Sequence, residues 1–300
     1  MKKSKPTLTV FTPTYNRADL LHHCYESLKR QTCYDFEWLI IDDGSTDNTK
    51  EMVDQWIAED NFFKISYCYK ENGGLHTGYN KAIELMDTEI CVCIDSDDWM
   101  PDDAVEIIVQ KWRKYKSENI AGLVGHDFTP EGKILGNHFP EGLKSHYIEL
   151  KESKQYNYDN KIVMRVDLLK KVAPQPSFKG EKNFNPIWIV LKIDEMAPFV
   201  LIDNNLCFVD YQTGGMSFNL INQYFNSPQS FLELRKLYVT LKYASKKYIV
   251  KNHIHLVAQS LIANRNPFTE TNNKLLTFLL YPLGLLLYFY MRYMYSRFNK

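Results

Sequence analysis

The sequence predicts an α/β protein, a mostly parallel sheet flanked by helices, with a helical extension at its C-terminus. Three observations predict it. Short apolar runs recur about every 30 residues, the size of a βαβ unit. The segments between them carry apolar residues at helical spacing. Each run also ends in a polar motif, the position where open α/β sheets bind ligands.

The runs are Thr7 to Thr12, Phe36 to Ile41, Lys64 to Tyr69, Ile90 to Ile94 and Ala121 to Phe128. Leu20, Leu21, Cys24 and Leu28 mark the first intervening helix, and Met52, Val53, Trp56 and Ile57 the second. Asn16 is a candidate cap with Asp19 in the first turn, and Pro101 with Asp102 and Asp103 opens a helix carrying Val105, Ile108, Val109 and Trp112. Beyond Phe128 the alternation fails. Ser145 to Asn160, rich in Tyr and Asn, reads as a long functional loop. Leu206 to Val209 reads as a further strand, and from Ser230 to Asn264 the pattern is helical.

Leu275 to Met291 is a run of 17 uncharged residues interrupted by Pro282 and Gly284. That is at the lower limit for a bilayer span, so it is read as an interfacial or re-entrant helix. Lys274, Arg292, Arg297 and Lys300 with no acid nearby suit anionic headgroups. A buried C-terminal helix is the competing reading. The expected division is a catalytic domain over 1–217 and a helical region over 218–300, with the membrane-associating segment at about 275–295.

Lys plus Arg and Asp plus Glu number 36 each, so no global charge marks a nucleic-acid binder. The six cysteines show no metal-ligand spacing, which fits reduced thiols in a cytosol. No apolar leader follows the basic start MKKSKPTLTV. The expected location is cytoplasmic, peripheral on the inner face of the cell membrane.

The strand-end motifs are TPTYNR (12–17), DDGSTDNT (42–49), KENGGLHTGYN (70–80) and DSDDW (95–99). Asp95, Asp97 and Asp98 are hard oxygen ligands whose mutual repulsion calls for a cation, and Mg²⁺ or Mn²⁺ suits them when phosphates complete the shell. A helix cap by Asp98 or Asp102 is the alternative. Asp42 and Asp43 end the second run, where a carboxylate can accept a uracil imide or a ribose hydroxyl, or simply close an Asx turn. Asn72, Gly73 and Gly74 form a small loop that a phosphate can approach, with Lys70, His76 and Lys81 to contribute charge; His76 reads equally as an ordinary helix-start histidine.

Taken in order, TPTYNR, IIDDGSTDNT, ENGGLHTGYNKAI and IDSDDW resemble the family 2 glycosyltransferases of the GT-A fold, whose core is Rossmann-like. The resemblance covers residues 6 to 130 strongly and extends loosely to 217. It implies a nucleotide-sugar donor, a divalent metal and single-displacement transfer that inverts the anomeric carbon. By the same resemblance Pro13, Tyr15 and Asn16 border the nucleoside and Asp43 addresses the base. Asp95 and Asp97 engage ribose, metal and diphosphate, with Asp97 as the metal ligand. Thr12, Lys70, Gly74, His76, Asn80 and Ser96 complete the expected donor-binding set. Trp99 is the expected acceptor contact, and Tyr211 in the glycine-containing stretch YQTGGMS (211–217) a second stacking candidate.

An inverting transfer needs a base for the acceptor hydroxyl. FKGEKNFNPIW (178–188) resembles a GEKF-type version of the family's base motif, which makes Glu181 the candidate. The chain departs from that pattern where Ile187 follows Pro186 in place of an acid, so Asp194 or Glu195 could take over, and a surface role beside Lys179 or Lys182 is the alternative for Glu181. The expected acceptor is lipid-linked or a polysaccharide. A non-catalytic sugar-nucleotide-binding module is the runner-up. Nucleotidyl transfer fits less, because the first loop has no glycine to cradle a triphosphate.

Overall fold

The computed structural model describes residues 5–210 and 220–298. They group into two units. The first comprises the chain up to Gly73, Thr77–Pro174 and Ile189–Asp210; the second comprises Gly74–His76, Gln175–Trp188 and the chain beyond residue 210. Gln175–Trp188, placed by sequence in the first domain, thus groups with the C-terminal helices.

In the first unit β1 (Leu8–Thr14), α1 (Ala18–Lys29), β2 (Phe36–Asp42), α2 (Thr49–Ala58), β3 (Lys64–Tyr69), α3 (Leu75–Leu85), β4 (Ile90–Cys93), α4 (Ala104–Tyr115) and β5 (Gly122–Phe128) alternate as the periodicity predicts. Next come β6 (Lys144–Ser145), α5 (Tyr147–Glu152), β7 (Asn160–Arg165), α6 (Val166–Val172), α7 (Ile187–Asp194) and β8 (Phe199–Phe208). Eight strands form one sheet in the order β3-β2-β1-β4-β7-β5-β8-β6. The first four in that order are parallel, and β7 is inserted antiparallel between β4 and β5. Every residue of β1 is buried, so it shows no alternation, as expected of a strand covered on both faces.

Val10, Trp38, Ile40 and Val92 from the strands meet Leu21, Tyr25, Val53, Trp56, Val105 and Trp112 from the helices in one core. A fully buried side chain of this size contributes about 1.5–3 kcal/mol. Tyr25 stacks on Trp56 at 4.3 Å between centroids, and its hydroxyl donates to Glu59 at 2.7 Å, so the aromatic layer keeps its polar edge bonded.

Two local expectations are corrected. Ser145–Asn160 is not a bare loop. It contains α5, whose first N–H groups at Tyr147 and Ile148 donate to the Asp194 carboxylate, and whose Tyr147, Ile148 and Leu150 are buried. Asn16 does not cap α1. It takes a positive φ of 50°, which asparagine tolerates, and its side-chain oxygen accepts from Thr46 N–H at 2.7 Å, while Asp47 accepts from Ala18 N–H at the helix start.

The second unit holds α8 (Leu220–Asn226), α9 (Pro228–Tyr238), α10 (Lys246–Ile262) and α11 (Lys274–Phe298). Ser245 caps α10 by accepting from Tyr248 N–H at 3.1 Å. Tyr224, Phe231, Ala258, Ile262 and Met291 form its buried cluster. α11 runs unbroken through Pro282, against the expected interruption. Gly284 has a packing reason: a Cβ there would lie 2.4 Å from Val257 Cβ, so α10 and α11 approach closely at this point. On the outer side Leu275, Phe278, Leu279, Leu283, Leu286, Phe289, Tyr290 and Tyr293 are exposed at three- and four-residue spacing, a continuous apolar stripe. Lys274–Arg297 is long and apolar enough to cross a membrane by length and composition.

Candidate active site

The carboxyl ends of β1, β2 and β4 lie side by side in the sheet and bring three of the acidic or polar motifs to one edge. At the end of β2, Asp42 accepts from Ser45 N–H at 2.7 Å and from the Tyr67 hydroxyl at 2.5 Å, which closes the turn. Asp43 is buried, paired with Lys70, and accepts from Gly73 N–H at 3.0 Å. Gly44 at φ 90° lets this turn lie against Asn72, whose backbone N would be 2.9 Å from a Cβ. Asn16 N–H donates to Ser45 Oγ at 2.9 Å, and Tyr15 is exposed beside it in the chain. Asn16, Asp43 and Lys70 are therefore held by hydrogen bonds and an ion pair of the loops, with Tyr15 exposed next to Asn16. Pro13 lies under Gly78, with room for little more than the missing Cβ.

At the end of β4 the three aspartates separate by environment. Asp95 is exposed. Asp97 is half-buried and bonded to Arg17 Nη1 at 2.5 Å. Asp98 is buried 3.4 Å from Lys161 Nζ, and Lys161 also faces Asp127 at 3.7 Å. Burial pushes Asp98 up to about 7 against the pull of Lys161, with Asp95, Asp97 and Asp127 adding repulsion. Burial likewise raises Asp127 to about 6. Burial opposes the charge on Lys161, yet Asp127, Cys207 and Asp98 around it hold its pKa well above the ordinary lysine value.

This corrects the three-acid cluster. Asp98 belongs to an internal ion network, and the carboxylates on the rim are Asp95 and Asp97. Two hard oxygen donors suit Mg²⁺ or Mn²⁺ when substrate phosphates and water supply the remaining ligands, so the residues present fit such an ion. Lys161 and Arg17 are the partners that sequence reasoning missed. The signal for Lys161 was a lone lysine heading the apolar run KIVM.

The remaining expected contacts have the following surroundings. Thr12 is fully buried, its hydroxyl accepting from Trp38 Nε1 at 3.0 Å, so it braces the core. Ser96 is buried. Trp99 is half-buried, its backbone paired with Phe208 and its ring stacked on Phe208 at 5.8 Å. Asn80 is half-buried on α3. In the second unit, Gly74 takes φ 92°, and a Cβ there would fall 1.9 Å from the Lys182 carbonyl oxygen. The glycine is thus required by a backbone approach within that unit. His76 is fully buried with its ring 5.8 Å from that of Phe184. Tyr211 and YQTGGMS lie outside the described residues.

The candidate base is also engaged. Glu181 is buried, with Oε1 accepting from Gln229 N–H at 2.9 Å and Oε2 from Ser230 N–H at 2.7 Å. It therefore occupies the first turn of α9, where a carboxylate satisfies open amides and faces the positive end of the helix. Asp194 is held in the same way by Tyr147 and Ile148 N–H. Glu195 is half-buried at the end of α7.

Comparisons with known proteins bear on the fold and the family. A chondroitin synthase of Pasteurella multocida (strain Pm70) is 30% identical over 132 residues, a match covering 44% of this chain and 14% of that protein. Among solved structures, S. aureus TarS 1–349 in complex with UDP-GlcNAc superposes with a TM-score of 0.59 at 16% identity, covering 89% of this chain and 74% of that one. The mannosyltransferase PcManGT from Pyrobaculum calidifontis, in complex with GDP-Man and Mn²⁺, gives 0.54 at 18% identity over 98% and 86%. These likenesses carry the GT-A fold. The family model for glycosyl transferase family 2 matches residues 9–173, more than half of the chain and the whole of the acidic strand-end edge, and the chain belongs to that family.

Proposed function

We propose that the protein is an inverting, metal-dependent glycosyltransferase that moves a sugar from a nucleotide-sugar donor, a UDP-sugar, to a hydroxyl of a lipid-linked or polysaccharide acceptor at the cytoplasmic face of a membrane. The observation that carries this reading is the rim formed by Asp95 and Asp97 beside the Asp43–Lys70 turn. Asp43, Tyr15 and Asn16 would orient the nucleoside, and Asp95 and Asp97 would hold Mn²⁺ or Mg²⁺. When bound, that ion supplies Lewis-acid stabilisation of the leaving diphosphate. Arg17, now on Asp97, is a second positive group within reach of the same rim and would balance the carboxylate between turnovers. The complexes of the structural neighbours with UDP-GlcNAc, and with GDP-Man and Mn²⁺, support a nucleotide-sugar donor and a divalent ion. The polysaccharide synthase among the relatives supports a glycan acceptor.

The exposed stripe of α11 supports contact with a lipid surface. The helix is therefore read as lying on the membrane, with its other face kept on α10.

A second reading, a sugar-nucleotide-binding module without turnover, is favoured by one observation: Glu181 and Asp194 both spend their carboxylate oxygens on helix amides. One experiment separates the two. The chain is incubated with UDP-GlcNAc, UDP-glucose or GDP-mannose and a panel of oligosaccharide and lipid-linked acceptors, with and without Mn²⁺, and nucleotide release and the anomeric configuration of the glycosylated acceptor are followed by NMR. Metal-dependent release of UDP with inversion supports the enzyme. Metal-dependent binding without release selects the module, and absence of both overturns the proposal. Glu181→Gln then assigns that residue. As a cap, its loss costs about 1 kcal/mol of stability while the rate per folded molecule holds; a collapse of rate with an unchanged melting temperature would make it the base.

A further inference from the structure

We infer that His126, His138 and Asp203 form a transition-metal site of the zinc class that ties the connection between β5 and β6 to strand β8, separate from the rim of Asp95 and Asp97. The three residues offer one ligand atom each, and all three atoms lie within 4.8 Å of one another. His126 Nε2 is 2.8 Å from Asp203 Oδ1, and His138 Nδ1 is 3.1 Å from both oxygens of the same carboxylate. Zinc bound tetrahedrally at about 2.0–2.2 Å from nitrogen and oxygen places its ligand atoms roughly 3.3 Å apart. The two histidine–aspartate separations lie within about 0.5 Å of that spacing, and the two imidazole nitrogens, within 4.8 Å of one another, would close by up to about 1.5 Å through rotation of the exposed His138 side chain.

The chain prepares this geometry. β8 is irregular opposite His126: Val124 pairs with Leu201, whereas His126 pairs with Asn205, so β8 carries extra residues over this stretch, with Asp203 among them. Such a bulge re-aims side chains. Supporting contacts hold the ligands in place. Phe139 N–H donates to Asp203 Oδ1 at 2.9 Å, the Phe139 ring stacks on His126 at 4.1 Å, and Asp203 N–H donates to Glu141 Oε2 at 2.9 Å. Second contacts of this kind fix ligand orientation in metal sites.

His126 is buried and His138 is 75% exposed, so the site combines one rigid ligand with an open side through which an ion can enter. Three protein ligands leave a fourth position for water. Imidazole nitrogens select zinc-like ions over the hard Mg²⁺ and Mn²⁺ expected at the aspartate rim, so the two sites would not compete. Filling this one would anchor residues 129–143, the connection that carries His138, to the sheet.

The test uses the full chain freed of metal by chelation and dialysis, titrated with Zn²⁺ and, in parallel, with Co²⁺. Wild type and Asp97→Asn are expected to bind one equivalent of Zn²⁺ and to give the intense visible d–d bands of tetrahedral Co²⁺. His138→Ala, at an exposed position, is expected to keep its far-UV circular dichroism and to bind Zn²⁺ weaker by about tenfold or more. Equal affinity in His138→Ala and wild type, loss of binding in Asp97→Asn, or no tetrahedral Co²⁺ spectrum in wild type would each overturn the assignment. The Co²⁺ spectrum of wild type decides the matter even if the variant fails to fold.

Discussion

Asp98 carries a carboxylate into a buried position where Lys161 is 3.4 Å away, while Asp97, one residue earlier, is half-buried and bonded to Arg17. Crowded acids are tolerated here because Lys161 faces Asp98 and Arg17 bonds one oxygen of Asp97, which leaves the exposed Asp95 and the second oxygen of Asp97 as the donors for an ion. Thermal shift with UDP and Mn²⁺ tests this division. Asp97→Asn should abolish the metal-dependent part of the shift, whereas Asp98→Asn should retain it, since an amide of equal volume still fits beside Lys161. Loss of the shift in both variants would return Asp98 to the ligand set. The motif DSDDW was legible in the sequence as a metal-ligand candidate. The inward turn of its third acid was not, because the lysine that receives it is 63 residues further along the chain.

Helices α10 and α11 show how one element can meet two demands. Gly284 permits the close crossing at Val257, so Gly284→Leu should force the pair apart and cost about 1–3 kcal/mol, read as a lower denaturation midpoint. An unchanged midpoint would show that the crossing is looser than its geometry. α10 also carries an acid sensitivity. Burial, with Arg235 and Lys251 nearby, lowers His255 from its ordinary 6.5 to about 4. Between those values the unfolded chain binds a proton that the folded chain refuses, so stability falls as pH drops from 6.5 towards 4. His255→Gln should flatten that part of the stability profile, measured as melting temperature at pH 7 and at pH 4.5. Burial of His253, bonded to Thr277 on α11, acts in the same direction and leaves a residual slope.

For the whole molecule, the stripe on α11 makes location a measurable property. Deleting the helix would uncover the packed face of α10, so charge placed on the stripe is the cleaner perturbation. Leu279→Glu with Leu286→Glu should leave the free energy of unfolding within about 0.5 kcal/mol of wild type, because both side chains already face solvent, and should abolish co-sedimentation with anionic vesicles. Co-sedimentation equal to wild type would remove the lipid surface from the proposal. The periodicity of this segment was legible as apolar and membrane-seeking. That Pro282 would not break it was not, since the helix is held on both sides of the proline by Thr277 bonded to α10 and by Gly284 seated against Val257.

The order of strands and helices through β5, the acidic strand ends and the resemblance to one family were determined by the sequence alone, because periodicity, turn chemistry and motif order are properties of neighbouring residues. Tertiary structure decided the rest. It inserted β7 antiparallel beside β4, turned Asp98 inward to Lys161, and gave Glu181 to the first turn of α9. In each case the partner lies dozens of residues away, and which carboxylate meets a lysine, a helix amide or open solvent is set only when those distant segments pack.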